Sequence, residues 1–183
     1  MSLKIRIYFT GIVALGIWTL LLWDYFHGGV PTHHLAANGD LPGISNWWGA
    51  LLLPLLTGFL LYRIQIRIGH GTNKEDQTSQ NLKHIIPDFA WSLIFGILLS
   101  VFFTFGYTDL CLYMILTLPP LGLIFRIYRA ECLLGFVLGM TYTFGTVLPT
   151  GIGCILVLIG AMLYLYLRVG LLSAFSRLLL KGS

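Results

Sequence analysis

The segment IYFTGIVALGIWTLLLW, residues 7–23, contains no charged side chain. A membrane-spanning helix needs about 20 apolar residues, within a range of about 17 to 25. Lys4 and Arg6 precede the segment, as basic residues precede the core of a secretory signal peptide. No small-residue cleavage site stands before Trp23, however, and further apolar segments follow. We therefore interpret residues 7–23 as a signal anchor that remains in the chain as its first transmembrane helix.

Apolar segments of similar length follow along the rest of the chain. They cover residues 47–64, 89–106, 110–125, 132–148 and 152–167. Charged residues make up only 10% of the 183 residues, whereas a soluble domain carries about 25%. The sequence therefore predicts an all-α integral membrane protein, in which residues 1–183 form a single domain with a bundle of six transmembrane helices.

Proline and glycine predict the shape of the last three helices. Pro119 and Pro120 remove two backbone donors, so we expect a break or kink in the fourth helix. Residues 149–151, Pro-Thr-Gly, are the expected turn between the fifth and sixth helices. Gly135 and Gly139 stand four residues apart, a spacing that lets two helices approach closely.

The basic residues predict the orientation of the bundle. Short cytoplasmic loops of membrane proteins are enriched in Lys and Arg. With six spans and a cytoplasmic N-terminus, all eleven basic residues fall on the cytoplasmic side. They are Lys4, Arg6, Arg63, Arg67, Lys74, Lys83, Arg126, Arg129, Arg168, Arg177 and Lys181. This predicts a multi-pass protein with both termini in the cytoplasm, and it attributes the pI of about 9.1 to topology and contact with anionic lipid, not to nucleic acid.

Two cytoplasmic segments are predicted to lie outside the spans. Residues 69–83, GHGTNKEDQTSQNLK, are polar and are expected to form a flexible loop. Residues 169–181 place leucines and Phe175 at helical spacing, with Arg177 and Lys181 on the other face. This pattern predicts either a longer sixth helix or an amphipathic extension in the membrane interface.

The long loop between the first two spans carries most of the candidate chemistry. Residues 24–46 read DYFHGGVPTHHLAANGDLPGISN and contain no Lys or Arg. Three of the five histidines of the chain, His27, His33 and His34, lie here with Asp24 and Asp40. Neutral imidazoles and carboxylates are ligands that zinc prefers, and a catalytic zinc keeps one position for water.

Three interpretations of this loop stay open, of which the last is a binding surface for a partner. In the first, His27, His33, His34 and Asp40 bind a divalent metal such as zinc, and Asp24 or Asp109 assists in catalysis. In the second, the histidines are packed interfacial residues, because the imidazole ring is amphipathic and tryptophans stand at both ends of the loop. The spacing of the histidines matches no established zinc signature, so the pattern alone does not decide between them.

Polar groups elsewhere narrow the range of functions. The spans contain no histidine for a transmembrane haem, no lysine for a retinal Schiff base, and no mid-membrane acid for a proton-coupled carrier. Hydroxyl side chains of the third and fifth helices gather in the outer half of the bundle, where they either pack or line a cavity. At the inner helix ends, Asp88 is interpreted as a helix-start residue. Glu131 is interpreted as an ion-pair partner of Arg126 and Arg129 or, alternatively, as part of a headgroup or substrate site.

Two hypotheses of function follow. The first is a metal-dependent membrane enzyme that acts on a lipid or other amphipathic substrate at the outer face. The second is a non-catalytic small transporter, or a subunit or assembly factor of a membrane complex. Both imply contact with membrane lipids, and the second also implies an oligomer or a partner membrane subunit. Cys111, Cys132 and Cys154 lie in apolar segments and predict no disulfide.

Overall fold

The computed structural model of the chain describes residues 3–30, 32–34, 43–69 and 76–167. Helices make up most of these residues: α1 (Leu3–Phe26), α2 (Gly49–Gly69), α3 (Asp76–Thr104), α4 (Thr108–Ile124), α5 (Ala130–Phe144) and α6 (Val147–Met162). A 3-10 turn over Asn46–Trp48 precedes α2, and a π-helical turn over Leu163–Leu167 continues α6. Between α1 and α2, strands β1 (Thr32–His34) and β2 (Gly43–Ser45) pair antiparallel, with His33 opposite Ile44.

Among the described residues, four helical segments are long and apolar enough to cross a membrane. They are Leu3–Phe26, Asn46–Gly69, His84–Thr104 and Val147–Leu167. The remaining two apolar helices, α4 and α5, are shorter, with 17 and 15 residues. Large apolar side chains cover much of the outer surface, for example Tyr8 at 70% exposure. An apolar helical bundle of this kind is the architecture of an integral membrane protein.

Helices α3 and α5 form the tightest contact of the bundle, because glycines remove the side chains between them. A Cβ atom added at Gly139 would lie 2.6 Å from the carbonyl oxygen of Leu93. A Cβ at Gly96 would lie 2.8 Å from the carbonyl oxygen of Phe136, and one at Gly135 would overlap Ser92 Oγ. The predicted close approach at Gly135 and Gly139 is confirmed, and we call this contact the α3–α5 seam.

Fully buried side chains lie on the two helices of the seam and also on α1. Leu99 on α3 and Val137 on α5 are 2% and 0% exposed, and Leu21 on α1 is 0% exposed. Tight packing matters within a membrane because lipid tails are as apolar as the side chains. Helix association there depends on dispersion contacts and hydrogen bonds more than on escape from water.

The two ends of the bundle differ in charge. At one end, Arg6 of α1 lies against α2, with Nη1 3.5 Å from Gln65 Oε1. Arg67 at the end of α2 contacts Glu131 at the start of α5. We call this the basic end, defined by Arg6, Arg67, Asp88, Arg126 and Arg129. The opposite end, where α1 ends and α2 begins, carries His27, Asn46 and Gly145, and we call it the histidine end.

The turn between α5 and α6 differs from the prediction. It is formed by Gly145 and Thr146, and not by residues 149–151. Gly145 has φ of +69°, a backbone conformation that glycine adopts readily and other residues rarely do. Pro149 lies in the first turn of α6, where a missing N–H removes no helical hydrogen bond. The positive φ at Gly145 sets the turn, and the proline is part of the helix.

Two other local expectations also differ from the structure. Helix α4 continues through Pro119 and Pro120 to Ile124, so the prolines do not end it. Helix α3 begins at Asp76, so residues 76–83 are helical where we expected part of a loop, and Asp88 lies well inside α3 rather than in its first turn. The rest of that predicted loop, residues 70–75, and the predicted extension over residues 169–181 lie outside the described residues.

Candidate functional site

His27 at the histidine end has a defined environment. It follows the last residue of α1, and its ring stacks on Trp23 with the centroids 3.8 Å apart. Its Nδ1 lies 2.9 Å from the carbonyl oxygen of Trp23. A carbonyl only accepts hydrogen bonds, so Nδ1 carries the proton and Nε2 is the unprotonated nitrogen of the neutral ring. This tautomer can bind a metal through Nε2.

The other predicted residues of the histidine end are spread over several elements. Asp24 lies in the last turn of α1, and its carbonyl oxygen accepts hydrogen bonds from the backbone N–H groups of His27 and Gly29 at 3.1 and 2.9 Å. His33 and His34 lie on β1, where their backbones pair with Ile44 and Gly43. Asp109 is exposed in the first turn of α4, a favourable position for a carboxylate near the helix dipole. Asp40 lies outside the described residues.

The structure leaves the predicted metal site untested, because the side chains of His33 and His34 and all of Asp40 lie outside the described residues. Among the described residues, no group of three or more His, Cys, Asp or Glu residues could hold a metal ion. The predicted metal ligands, and the catalytic roles assigned to Asp24 and Asp109, therefore stay predictions. His27 is the member of the set whose described geometry fits a ligand.

Three hydroxyl groups of α3 and α5 near the histidine end bond to backbone carbonyls, whereas the buried Thr146 hydroxyl has no partner among the described residues. Ser100 Oγ donates to the carbonyl oxygen of Gly139 at 3.2 Å, across the α3–α5 seam. Thr104 and Thr141 donate to carbonyls four residues earlier in their own helices, at 2.8 and 2.7 Å. These bonds favour the packing interpretation over a polar cavity at this level.

The basic end holds a buried ion-pair network. Glu131 is 0% exposed, and its Oε1 lies 2.7 Å from Arg67 Nη2 and 3.7 Å from Arg129 Nη1. Arg129 Nη1 also lies 3.3 Å from Asp88 Oδ2. The network joins the end of α2, the middle of α3 and the start of α5. A carboxylate without solvent contact is costly unless it is paired, and the two arginines supply that pairing.

Glu131 forms ion pairs, as one interpretation of the sequence expected. Its partners differ in part from the expected ones. The nearest arginine is Arg67, 64 residues earlier in the chain, which the sequence analysis did not connect to it. Arg126 instead turns away towards α6. Its Nε donates a hydrogen bond to the Tyr164 hydroxyl at 3.0 Å, and its guanidinium lies 5.8 Å from the centre of that ring. This hydrogen bond raises the pKa of Arg126 above its ordinary value, at which a guanidinium is already charged at neutral pH.

A cavity of about 540 Å³ opens beside this network. Its walls come from α3, α4, α5 and α6, and they are mostly apolar: Phe95, Leu118, Leu133, Phe136, Leu156 and Val157 are among them. Asp88 and Arg126 line it at the basic end. Trp91 and Phe125 also line it and are 73% and 60% exposed, so they stand at its rim. The cavity is therefore apolar inside and charged at one end.

The cavity also contains a thiol and a gap created by glycine. Cys132 Sγ donates to the carbonyl oxygen of Arg126 at 3.9 Å. Gly153 on α6 faces α5, where an added Cβ would lie 2.5 Å from Leu133 Cδ1. With no side chain at residue 153, α6 lies close to α5 at the deep part of the cavity.

The cavity is a feature that the sequence analysis did not predict. Its walls are drawn from four helices, and the apolar residues that line it look like any other membrane-facing residues in the sequence. One signal was available: Glu131 stands directly after a cluster of basic residues and at the start of an apolar helix. That pattern indicates that a charged side chain lies within the bundle at the basic end.

Comparison with known proteins gives no further guide to the site. No model of a protein family, no curated protein and no solved structure matches this chain.

Proposed function

We propose that this protein is a six-span membrane protein, with both termini in the cytoplasm, that binds a lipid-like amphipathic molecule in the cavity at the basic end. The observation that carries the proposal is the cavity itself, with apolar walls from four helices and charged residues at one end. An amphipathic molecule has the same division, an apolar chain joined to a polar group. The proposal is closest to the non-catalytic hypothesis of the sequence analysis.

The path of α5 supports six spans. Its first turn contacts Arg67 at the end of α2, and the glycine after it contacts Asn46 at the start of α2. Helix α5 therefore runs beside α2 from the basic end to the histidine end. With 15 residues it is about 22 Å long, against about 30 Å for the hydrocarbon core. The bilayer accommodates such a short helix by local thinning and by long basic side chains that reach the interface.

The distribution of charge supports a cytoplasmic basic end. Arg6 and Arg67 lie at this end in the described structure, and so do Arg126 and Arg129 beside Asp88 and Tyr164. The positive-inside rule associates such a concentration of basic residues with the cytoplasmic face. Under this orientation the cavity is reached from the cytoplasmic leaflet.

The dimensions of the cavity support a ligand of lipid type. Binding pockets for small molecules have volumes of about 300–1,000 Å³ and mostly apolar walls with a few polar groups. The cavity fits this description at about 540 Å³. Along α3 it extends from Asp88 to Phe95, which is roughly 10 Å of helix. That depth suits part of an alkyl chain.

The proposal is tested by filling the cavity. Val157 lines it on α6, whereas the adjacent Leu158 does not line it and is 66% exposed. We expect the protein extracted in a mild detergent to retain lipid-like molecules, measured by native mass spectrometry. Val157→Trp should lose them, and Leu158→Trp should keep them. A folded protein that retains no such molecule, or equal retention in both variants, would overturn the proposal.

The metal-dependent enzyme remains a second candidate, because the geometry of His27 favours it. Its Nδ1–H bonds a backbone carbonyl and leaves Nε2 for a ligand, as in many zinc sites. Zinc bound there by His27, His33, His34 and Asp40 would supply a water of lowered pKa. Elemental analysis of the purified protein tests this candidate. It requires about one zinc per chain and loss of that zinc in His33→Ala.

A further inference from the structure

The charges at the basic end do not balance around the cavity. Within the described residues, Asp88 and Glu131 form ion pairs with Arg129 and Arg67, two acids with two bases. Arg126 also lines the cavity, and no carboxylate of the described residues lies within ion-pair distance of it. A positive charge is therefore left at the mouth of an apolar cavity, and a ligand there experiences it directly.

Arg126 is held in a defined position. Its Nε is used by the Tyr164 hydroxyl at 3.0 Å, and the Tyr164 ring lies beside the guanidinium. The two terminal nitrogens of the guanidinium are the groups that bind a carboxylate or a phosphate with two parallel hydrogen bonds. Arg126 is held in position before a ligand arrives, and this lowers the entropy cost of binding.

The backbone of α6 changes its helical form at this point. Tyr164 belongs to the π-helical turn Leu163–Leu167 at the end of α6. π-Helical turns are rare and are frequent at functional sites. The local change of helix type coincides with the tyrosine that contacts Arg126, which is an observation independent of the cavity.

We propose that the ligand of the cavity carries an anionic headgroup, and that Arg126, positioned by Tyr164, binds it while the alkyl chain lies between α3, α4, α5 and α6. The inference rests on the proposed function, since it requires that the cavity binds an amphipathic molecule. The ligand is a single-chain anion, either a carboxylate such as a fatty acid or a phosphate such as a lysolipid headgroup. Asp88 does not favour a cationic ligand, because it is already paired with Arg129.

The test uses Trp91, which lines the cavity, as a fluorescent reporter. The full-length protein in phosphatidylcholine nanodiscs is titrated with ω-bromoundecanoate, ω-bromoundecyl phosphate and ω-bromoundecyl trimethylammonium. Bromine quenches tryptophan on contact, so bound chains give a saturable loss of fluorescence. That saturable part should disappear in Trp91→Phe. We expect at least one of the two anions to bind about tenfold more tightly than the cation, the effect of one charge-assisted hydrogen-bonding group.

Variants at the basic end identify the residue that causes the preference for anions. Arg126→Gln should reduce the affinity for the anion about tenfold, and Arg126→Lys by less, because lysine keeps the charge without the planar fork. Tyr164→Phe keeps the charge of Arg126 and removes the hydrogen bond that positions it. Its loss of affinity for the anion should be smaller than that of Arg126→Gln. Arg63→Gln is the matched control: Arg63 is exposed on α2, at the same end, and does not line the cavity.

The outcomes separate this inference from the proposed function. Anion preference that is lost in Arg126→Gln and kept in Arg63→Gln supports the inference, and the better of the two anions identifies the headgroup. Saturable quenching of Trp91 without a preference for anions overturns the inference and leaves the cavity as a binding site. Equal losses in Arg126→Gln and Arg63→Gln would indicate attraction to the basic surface, and would also overturn it. An absence of saturable quenching by all three probes would overturn the proposed function as well.

Discussion

The histidine end and the basic end differ in how their polar residues relate to the bundle. At the histidine end, His27 stacks on a neighbouring tryptophan of its own helix and Asp109 is exposed. At the basic end, Glu131 is fully buried and pairs with Arg67, on another helix, and with Arg129, two residues before it. A dense group of histidines in the sequence is therefore a weaker guide to a site than one buried acid. Burial forces a polar group to find partners, whereas exposure to water does not.

The most direct test of this difference is to remove one carboxylate from each end. Glu131→Gln should lower the free energy of unfolding by about 3 kcal/mol, because the buried carboxylate loses its charge-assisted hydrogen bond with the partly exposed guanidinium of Arg67. Asp109→Asn should change it by less than about 0.5 kcal/mol, as expected for an exposed residue without a partner role. Both are measured by reversible unfolding in mixed micelles. Similar effects at the two ends would contradict the comparison.

The second prediction concerns the α3–α5 seam that supports the basic end. Gly139→Ala should destabilise the protein by about 3 kcal/mol, because the new Cβ would lie 2.6 Å from a backbone oxygen and 3.0 Å from Gly96 Cα. Backbone atoms cannot move aside as a flexible side chain can. Gly11→Ala on α1 is the control, since nothing lies within 4 Å of its added Cβ. Thermal unfolding that is unchanged in Gly139→Ala would show that the seam is not tight.

Some features of the molecule could be predicted from the sequence and others could not. The four longest spans were predictable because a run of apolar residues decides both the existence and the length of a transmembrane helix. The turn after α5 was not, since Pro149 is a strong local signal and yet fits the first turn of a helix. The ion pair of Arg67 with Glu131 was not predictable either, because it depends on how α2 and α5 are placed side by side.

A third prediction compares two turns near the histidine end. Gly145 has φ of +69° and ψ of −172°, and Gly106 has φ of +83°. Gly145→Ala should cost about 2 kcal/mol, because it adds backbone strain and overlaps Asn46 Oδ1. Gly106→Ala adds strain only, because nothing lies within 4 Å of its Cβ, so it should cost about 1 kcal/mol. Chemical unfolding of both variants measures the difference, and a larger effect at Gly106 would contradict it.

A small loss of stability is expected for His27→Ala. If the ring only packs, removing its contact with Trp23 and its exposed hydrogen bond should cost about 1 kcal/mol or less. If His27 is also a zinc ligand, the same variant should lose bound metal in elemental analysis. The chelator EDTA should then lower the unfolding temperature of the wild-type protein and leave that of His27→Ala unchanged. This measurement decides whether the histidine end has a function beyond packing.

The α3–α5 seam has a consequence for the rate at which the cavity would exchange the proposed ligand. The backbones of α3 and α5 are in direct contact across the seam, so these two helices form a rigid wall of the cavity. The opposite wall is less tight: an added Cβ at Gly122 of α4 would lie 3.4 Å from Gly160 Cα of α6, and the side chain of Ile127 contacts both glycines. Side chains change rotamer within nanoseconds, and helices shift over microseconds to milliseconds. Entry and release are therefore expected to follow movements of α4 and α6, with Ile127 as the side chain that sets their frequency.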